Sequence, residues 1–128
     1  MVYLGPYIPE DFEIEAMFAQ LSIAKSVIPY GATNVLIGDA LPSDSIIVGI
    51  AVRVDTPWEV PAQMTLGDNV DPDLYAGPDA VDLNTAGLYL LEPYGETLGA
   101  SSVNAYINAP GATAGQVSVF LVLRFGAA

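Results

Sequence analysis

Five aspartates, Asp68, Asp71, Asp73, Asp79 and Asp82, fall within fifteen residues of this 128-residue chain. Carboxylate oxygens at that density suit calcium, which takes about six to eight hard oxygen ligands, and Asp68, Asp71 and Asp73 are the candidate ligands. The run Asp-Asn-Val-Asp-Pro-Asp does not have the spacing of an EF-hand loop, and no glutamate closes it. Aspartate is also the favoured residue of turns, and that ordinary role outweighs the metal. A cation there would brace the loop without running a reaction. A second carboxylate chemistry is glycoside hydrolysis, which needs two acids. Asp55 with Glu59 is a nominal pair, but with fifteen acids in the chain any pair can be nominated. Trp58, the sole tryptophan, is a candidate platform for stacking on a sugar ring; a plug in the core is the weightier alternative, since aromatic residues dominate cores and interfaces.

Other chemistries are closed by what the chain lacks. It has no histidine and no cysteine. That removes Ser-His-Asp triads, imidazole and thiolate metal sites, disulfides and the usual general base near neutral pH. Three cations (Lys25, Arg53, Arg124) against fifteen acids give a net charge of −12. Nucleic acid is therefore not an expected partner, because phosphate neutralisation needs clustered Lys and Arg, and anionic membrane surfaces are disfavoured for the same reason. No apolar run approaches the ~20 residues of a membrane-spanning helix, and no signal-peptide pattern opens the sequence. The chain reads as a soluble protein made in a cytoplasm, and not as an enzyme.

The elements that would carry these residues are short strands. The apolar fraction is 52% and the charged fraction 14%, which excludes general disorder and implies that some apolar surface meets another chain. Residues 1–11 hold Tyr3, Tyr7, Gly5, Pro6 and Pro9 and read as an extended N-terminal arm, since each proline disfavours helix in the residue before it. Residues 12–128 form one domain. Phe12, Ile14, Ala16 and Phe18 alternate with other residues at period two, which predicts a strand; an amphipathic helix across Pro9–Ala24 competes, because Glu, Ala, Met and Gln favour helix. Further strands are predicted over 21–28, 33–37, 63–66, 80–83, 87–91 and 103–108. The strongest two are Ile46–Val54 and Val117–Phe125. In the first, Ile46, Val48, Ile50, Val52 and Val54 share a face, and Gly49 suggests a bulge. Short strands with Gly/Pro turns and no confident helix predict an all-β fold, an antiparallel sandwich of jelly-roll type.

The order of motifs carries a family resemblance. Thr56-Pro57-Trp58 ends the strong strand; Thr65-Leu66-Gly67-Asp68, Asp71-Pro72-Asp73-Leu74-Tyr75 and Asp82-Leu83…Gly87-Leu88-Tyr89 follow; Gly115 to Val119 closes the series. Over residues 45 to 125 this resembles the small β-sandwich virion proteins of tailed bacteriophages, used as capsid decoration (cement) modules or in head and tail fibres. The resemblance implies a structural protein on the outside of the head, bound to the major capsid protein and stabilising the shell as a homotrimer. Its alternative is a carbohydrate-binding module at a fibre or tail tip, using Trp58.

On this reading Tyr3, Leu4, Tyr7 and Ile8 of the arm dock on the capsid. Arg53, Phe120, Val122 and Arg124, opposite the β-branched face, meet a neighbouring subunit, where an arginine would find a carboxylate.

Overall fold

The computed structural model describes residues 2–3, 5–6, 8–17, 22–37, 45–68, 75–91 and 103–125. Among the described residues nine elements succeed one another: β1 (Val2–Tyr3), α1 (Asp11–Met17), β2 (Ser22–Pro29), β3 (Asn34–Leu36), β4 (Ser45–Thr56), β5 (Gln63–Gly67), β6 (Gly87–Leu91), β7 (Asn104–Asn108) and β8 (Gln116–Phe125). One sheet has the order β1-β6-β4-β8-β2 and the other β3-β7-β5, with every pairing antiparallel.

From β2 onward the chain alternates between the two sheets and is wound as a doubled hairpin. β2 pairs with β8, β3 with β7, β4 with β6, and β5 with a single bridge between Leu66 and Ala76. The β4·β8 and β5·β7 ladders then close each sheet. This is jelly-roll winding, in which the first and second halves of the chain run antiparallel throughout. The expected sandwich is the observed one.

The core lies between the sheets. Ile50, Val52 and Val54 of β4 and Val117, Val119 and Leu121 of β8 face Met64, Leu66, Ala105 and Ile107 from the smaller sheet. β-Branched residues dominate the two long strands because they fit a pleated, fully covered surface. The expected irregularity at Gly49 is present: the β4·β8 register shifts between Ile47 and Gly49. Ile47, not Ile46 or Val48, is paired with Leu123, because one inserted residue shifts the register of all that precede it. A second shift falls between Val54 and Thr56 and leaves Asp55 outside the ladder.

Three expectations change. The segment expected as a strand from Phe12 is helical over Asp11–Met17, and Phe18 lies outside the described residues. Period two would bury Phe12, Ile14 and Ala16 alike, whereas Ile14 alone of them is buried. The local signal is one half of a capping box: the Glu10 amide donates to Glu13 Oε1 at 3.1 Å, while the Glu10 backbone carbonyl accepts from the Glu13 and Ile14 amides. Residues 80–83 form turns instead of a strand. Asp82 accepts from the Asn84 amide and the Thr85 hydroxyl, and this Asx-type bonding diverts the backbone from a ladder. Val81 and Leu83 are buried all the same. Finally, the expected arm does not stand apart from the sandwich. Val2 and Tyr3 pair with Leu90 and Tyr89 and extend the larger sheet.

Candidate functional site

Among the described side chains, the larger sheet has an outer face that is largely apolar and carries Lys25 and Arg53. Cross-strand pairing arranges it in rows: Val27, Ser118, Arg53 and Leu88 in one, and Lys25, Phe120, Ala51 and Leu90 in the next. A face of this composition needs a cover. The chain supplies it with α1, whose Ile14 packs into a second, smaller core with Ala51, Leu88 and Phe120.

Charge fixes the cover in place. Arg53 Nη1 donates to the Pro9 carbonyl at 2.9 Å and to Asp11 Oδ1 at 2.7 Å. Its Nη2 donates to Ser118 Oγ at 3.1 Å, and its Nε donates to Asp55 Oδ1. Lys25 Nζ donates to the other oxygen of Asp11. Asp55 in turn accepts from Ser118 Oγ at 2.7 Å and from Gln116 Nε2 at 3.1 Å. Lys25 Nζ and Arg53 Cζ lie 5.6 and 5.4 Å from the Phe120 ring centroid, within the range of cation–π attraction. Each charge brought under the helix is thus matched, as burial requires.

The electrostatic consequences are one-sided. The hydrogen bond from Lys25, joined by that from Arg53, holds the Asp11 carboxyl below its ordinary pKa. Burial opposes the Arg53 charge, but Asp11 and Asp55 outweigh it and raise the guanidinium pKa. The group is a permanently ionised latch between the N-terminal segment and the sheet, with no proton to give or take near neutrality.

A second carboxylate staples the loops at one end of the sandwich. Glu59 accepts from the Thr113 amide at 2.8 Å, from its hydroxyl, and from the Ala114 amide at 3.3 Å. The Thr113 hydroxyl and amide together lower the Glu59 pKa. The loop it grips begins with the expected Pro110-Gly111 turn: the Ala112 amide donates to the Ala109 carbonyl at 3.2 Å, and Gly111 takes φ 80°.

Several of the sequence-predicted site residues have other roles here. Trp58 is 2% exposed and sits in the main core, so it offers no open ring face for a sugar. Phe120 and Val122 are buried, and Arg53 is held on all sides by its own chain. These three therefore do not reach a neighbouring subunit in this conformation; α1 occupies the face assigned to one. Arg124 stands opposite Ile46 in the ladder, and its side chain lies outside the described residues. Leu4, Tyr7, Asp71 and Asp73 also lie outside them. Tyr3 is placed by its backbone pairing, and Ile8 is exposed.

The Asp68 carbonyl accepts from the Tyr106 hydroxyl at 2.8 Å. Burial, with the nearby Asp68 charge, raises the pKa of Tyr75. Asp79 and Asp82 border an open cleft of about 180 Å³ with Ala62, Gln63, Pro78 and Val81, and the Asp82 oxygens are already occupied by Asn84 and Thr85. Among the described residues no group of three or more carboxylates is placed to hold a metal ion, and no helix is long and apolar enough to cross a membrane.

Nothing local in the sequence marks Pro9, Asp11 or Ser118 as a partner of Arg53. One signal was available: an arginine on an apolar strand face must find carboxylates, and with three cations in the chain the search is short. Which carboxylate answers depends on α1 folding back, which no local pattern encodes.

No protein-family model and no curated protein sequence matches this chain. Its three-dimensional structure does have counterparts. A chain of the capsid asymmetric unit of cyanophage Pam1 superposes with a TM-score of 0.64 at 15% identity, covering 84% of this chain and 86% of that one. The fold is one found in phage capsids. A chain of the acidic stable capsid structure of Helicobacter pylori bacteriophage KHP30 gives a TM-score of 0.65 at 14% identity, over 80% of this chain and 86% of that one. The matches cover 84% and 80% of this chain, so the likeness to phage virion proteins read from the motif order extends to the fold.

Proposed function

We propose that this chain is a bacteriophage structural protein: a capsid decoration (cement) protein that binds the outside of the assembled head as a homotrimer. The observation that carries the reading is the match of its fold, over 84% and 80% of its length, to single chains of two phage capsids. Composition supports it as well. A chain with no histidine or cysteine, and whose buried charges are saturated by one another, is built to hold a shape and not to turn over a substrate. Its partner is the major capsid protein, and its place is the virion surface.

Affinity comes from repetition, because a trimer presents three copies of one docking surface to a repeating lattice. The N-terminal segment, including Tyr3, Leu4, Tyr7 and Ile8, lies at that docking surface. Carbohydrate binding loses its main support with the burial of Trp58.

The test is reconstitution. Purified protein is added to heads assembled without it, and occupancy is followed by sedimentation and by reconstruction of the particles. Saturation in multiples of three, density outside the shell and a higher head-rupture temperature are expected. Heads that take up no protein would overturn the reading.

A further inference from the structure

We infer that the capsid-facing surface is a composite apolar patch made of Ile8, Phe12 and Val27, assembled only when the N-terminal segment is latched onto the sheet, and that it docks in an apolar cleft rimmed by Lys or Arg. The inference rests on the reading just given and names the surface that reading requires.

Phe12 is 70% exposed, Val27 46% and Ile8 42%. A helix that buries Ile14 while leaving a phenylalanine in solvent has not finished covering its apolar groups. The latch ties the segments that carry these residues to one face of the larger sheet. Arg53 holds Pro9 and Asp11, the neighbours of Ile8 and Phe12, and it also bonds Ser118, whose cross-strand partner is Val27. Lys25, on the same strand face as Val27, grips Asp11 from the other side. Two of the patch residues therefore come from the segment before β2 and one from β2 itself.

The chemistry of the partner follows from the charges around the patch. Asp11 answers both Lys25 and Arg53, and Asp55 also answers Arg53. Glu10 and Glu13 flank Phe12 in sequence, on a chain of net charge −12. A second copy of the same face would bring like charges together around the aromatic ring, which costs affinity and slows encounter. A basic rim gains on both counts. Exposed aromatic residues are the usual anchors of such contacts, with the charges around them steering approach.

The experiment uses the full chain and heads assembled without it. Phe12→Ser and Val27→Ser keep the sandwich and its melting temperature, because both side chains are largely in solvent. Phe12→Ser is expected to weaken uptake by more than about tenfold, Val27→Ser by about threefold. Leu36→Ser, at another exposed apolar residue, retains wild-type uptake. Uptake of the wild type weakens as salt rises from 50 to about 500 mM. If the wild type saturates heads and Phe12→Ser does so equally well, this surface is wrong while the decoration role stands. If uptake is insensitive to salt, the basic rim is wrong. Loss of trimers on ultracentrifugation with Phe12→Ser, at unchanged uptake per chain, would assign the patch to self-association and overturn the docking role. Failure of the wild type to bind at all overturns the decoration role, and this surface with it.

Discussion

Arg53 Nη1 lies 2.7 Å from Asp11 Oδ1, a contact between residues 42 positions apart that joins the N-terminal helix to the centre of the larger sheet. It joins α1 to β4 beside the packing of Ile14 on Ala51, and its strength depends on the Asp11 carboxylate being ionised.

Asp11→Asn should loosen that link. The aspartate side chain is 40% exposed, so solvent screens the pair and the loss is about 1 kcal/mol, below the range of a buried ion pair. The pH dependence has a definite sign. Asp11 has a folded pKa below its unfolded one, so its contribution is complete above the unfolded value, about 4, and disappears as pH falls through the lower folded value. Denaturant titrations at several pH values should therefore show wild type and Asp11→Asn separated at pH 7, with the gap narrowing as pH falls below the unfolded value. A gap that does not narrow at all as the Asp11 carboxyl is protonated would mean that its charge is not what stabilises the contact.

Arg53→Met should be more severe. Asp55 has 14% of its side chain exposed and would lose its charged partner, leaving Ser118 and Gln116 as donors. Stranding a carboxylate in such surroundings costs about 3 kcal/mol. The paired change Arg53→Met with Asp55→Leu removes the stranded charge and should recover at least half of the loss. Urea midpoints of the two single variants and the double variant measure the coupling. Additive losses would show that Arg53 and Asp55 act independently.

The fold was legible where burial and local pattern agree. β4 and β8 are long, β-branched and covered on both faces, so their strands stand out in the residues themselves, as does the irregularity at Gly49. The motif order from Thr56 to Val119 carried the jelly-roll resemblance that the winding bears out. Asp11–Met17 looks like a strand because Phe12, Ile14 and Ala16 satisfy period two by type, whereas the capping bond from Glu10 to Glu13 and the burial of Ile14 decide the structure. Phe120 and Arg53 look like subunit-contact residues for a related reason. A sequence shows that a strand face is apolar and needs a cover, but not whether the cover comes from the same chain. Trp58 posed the matching problem, since an aromatic beside a loop has the same letters whether it faces a sugar or a glycine.

Glu59→Gln tests the loop staple. The carboxylate is on the surface, so global stability should change little, while the loop it grips loses charge-assisted bonds. Amide exchange at Thr113 and Ala114 should accelerate several-fold, with the β4 and β8 amides unaffected. The same acceleration should appear in the wild type as pH falls through the depressed Glu59 pKa, once intrinsic exchange is corrected for pH. Equal protection in both proteins would place the order of that loop in its Pro110-Gly111 turn alone.

Gly115→Ala tests the closest approach in the core. Gly115 has φ 145°, and a Cβ there would fall 2.6 Å from Trp58 Cε2 and 2.8 Å from its Cγ. The indole cannot retreat easily. It is enclosed by the core, and its backbone amide donates to the Leu83 carbonyl at 2.9 Å. Backbone strain and overpacking therefore act together, and a loss of about 3 kcal/mol is expected. Trp58 is the sole tryptophan, so its fluorescence reports on this site without labelling. A red shift in the folded variant would mark the ring displaced toward water. Its Nε1 is buried without a hydrogen-bond partner among the described residues, so movement toward solvent would also relieve an unmet donor and should make the shift larger. An unchanged spectrum with an unchanged urea midpoint would mean that the ring and Gly115 are farther apart in solution than this packing requires.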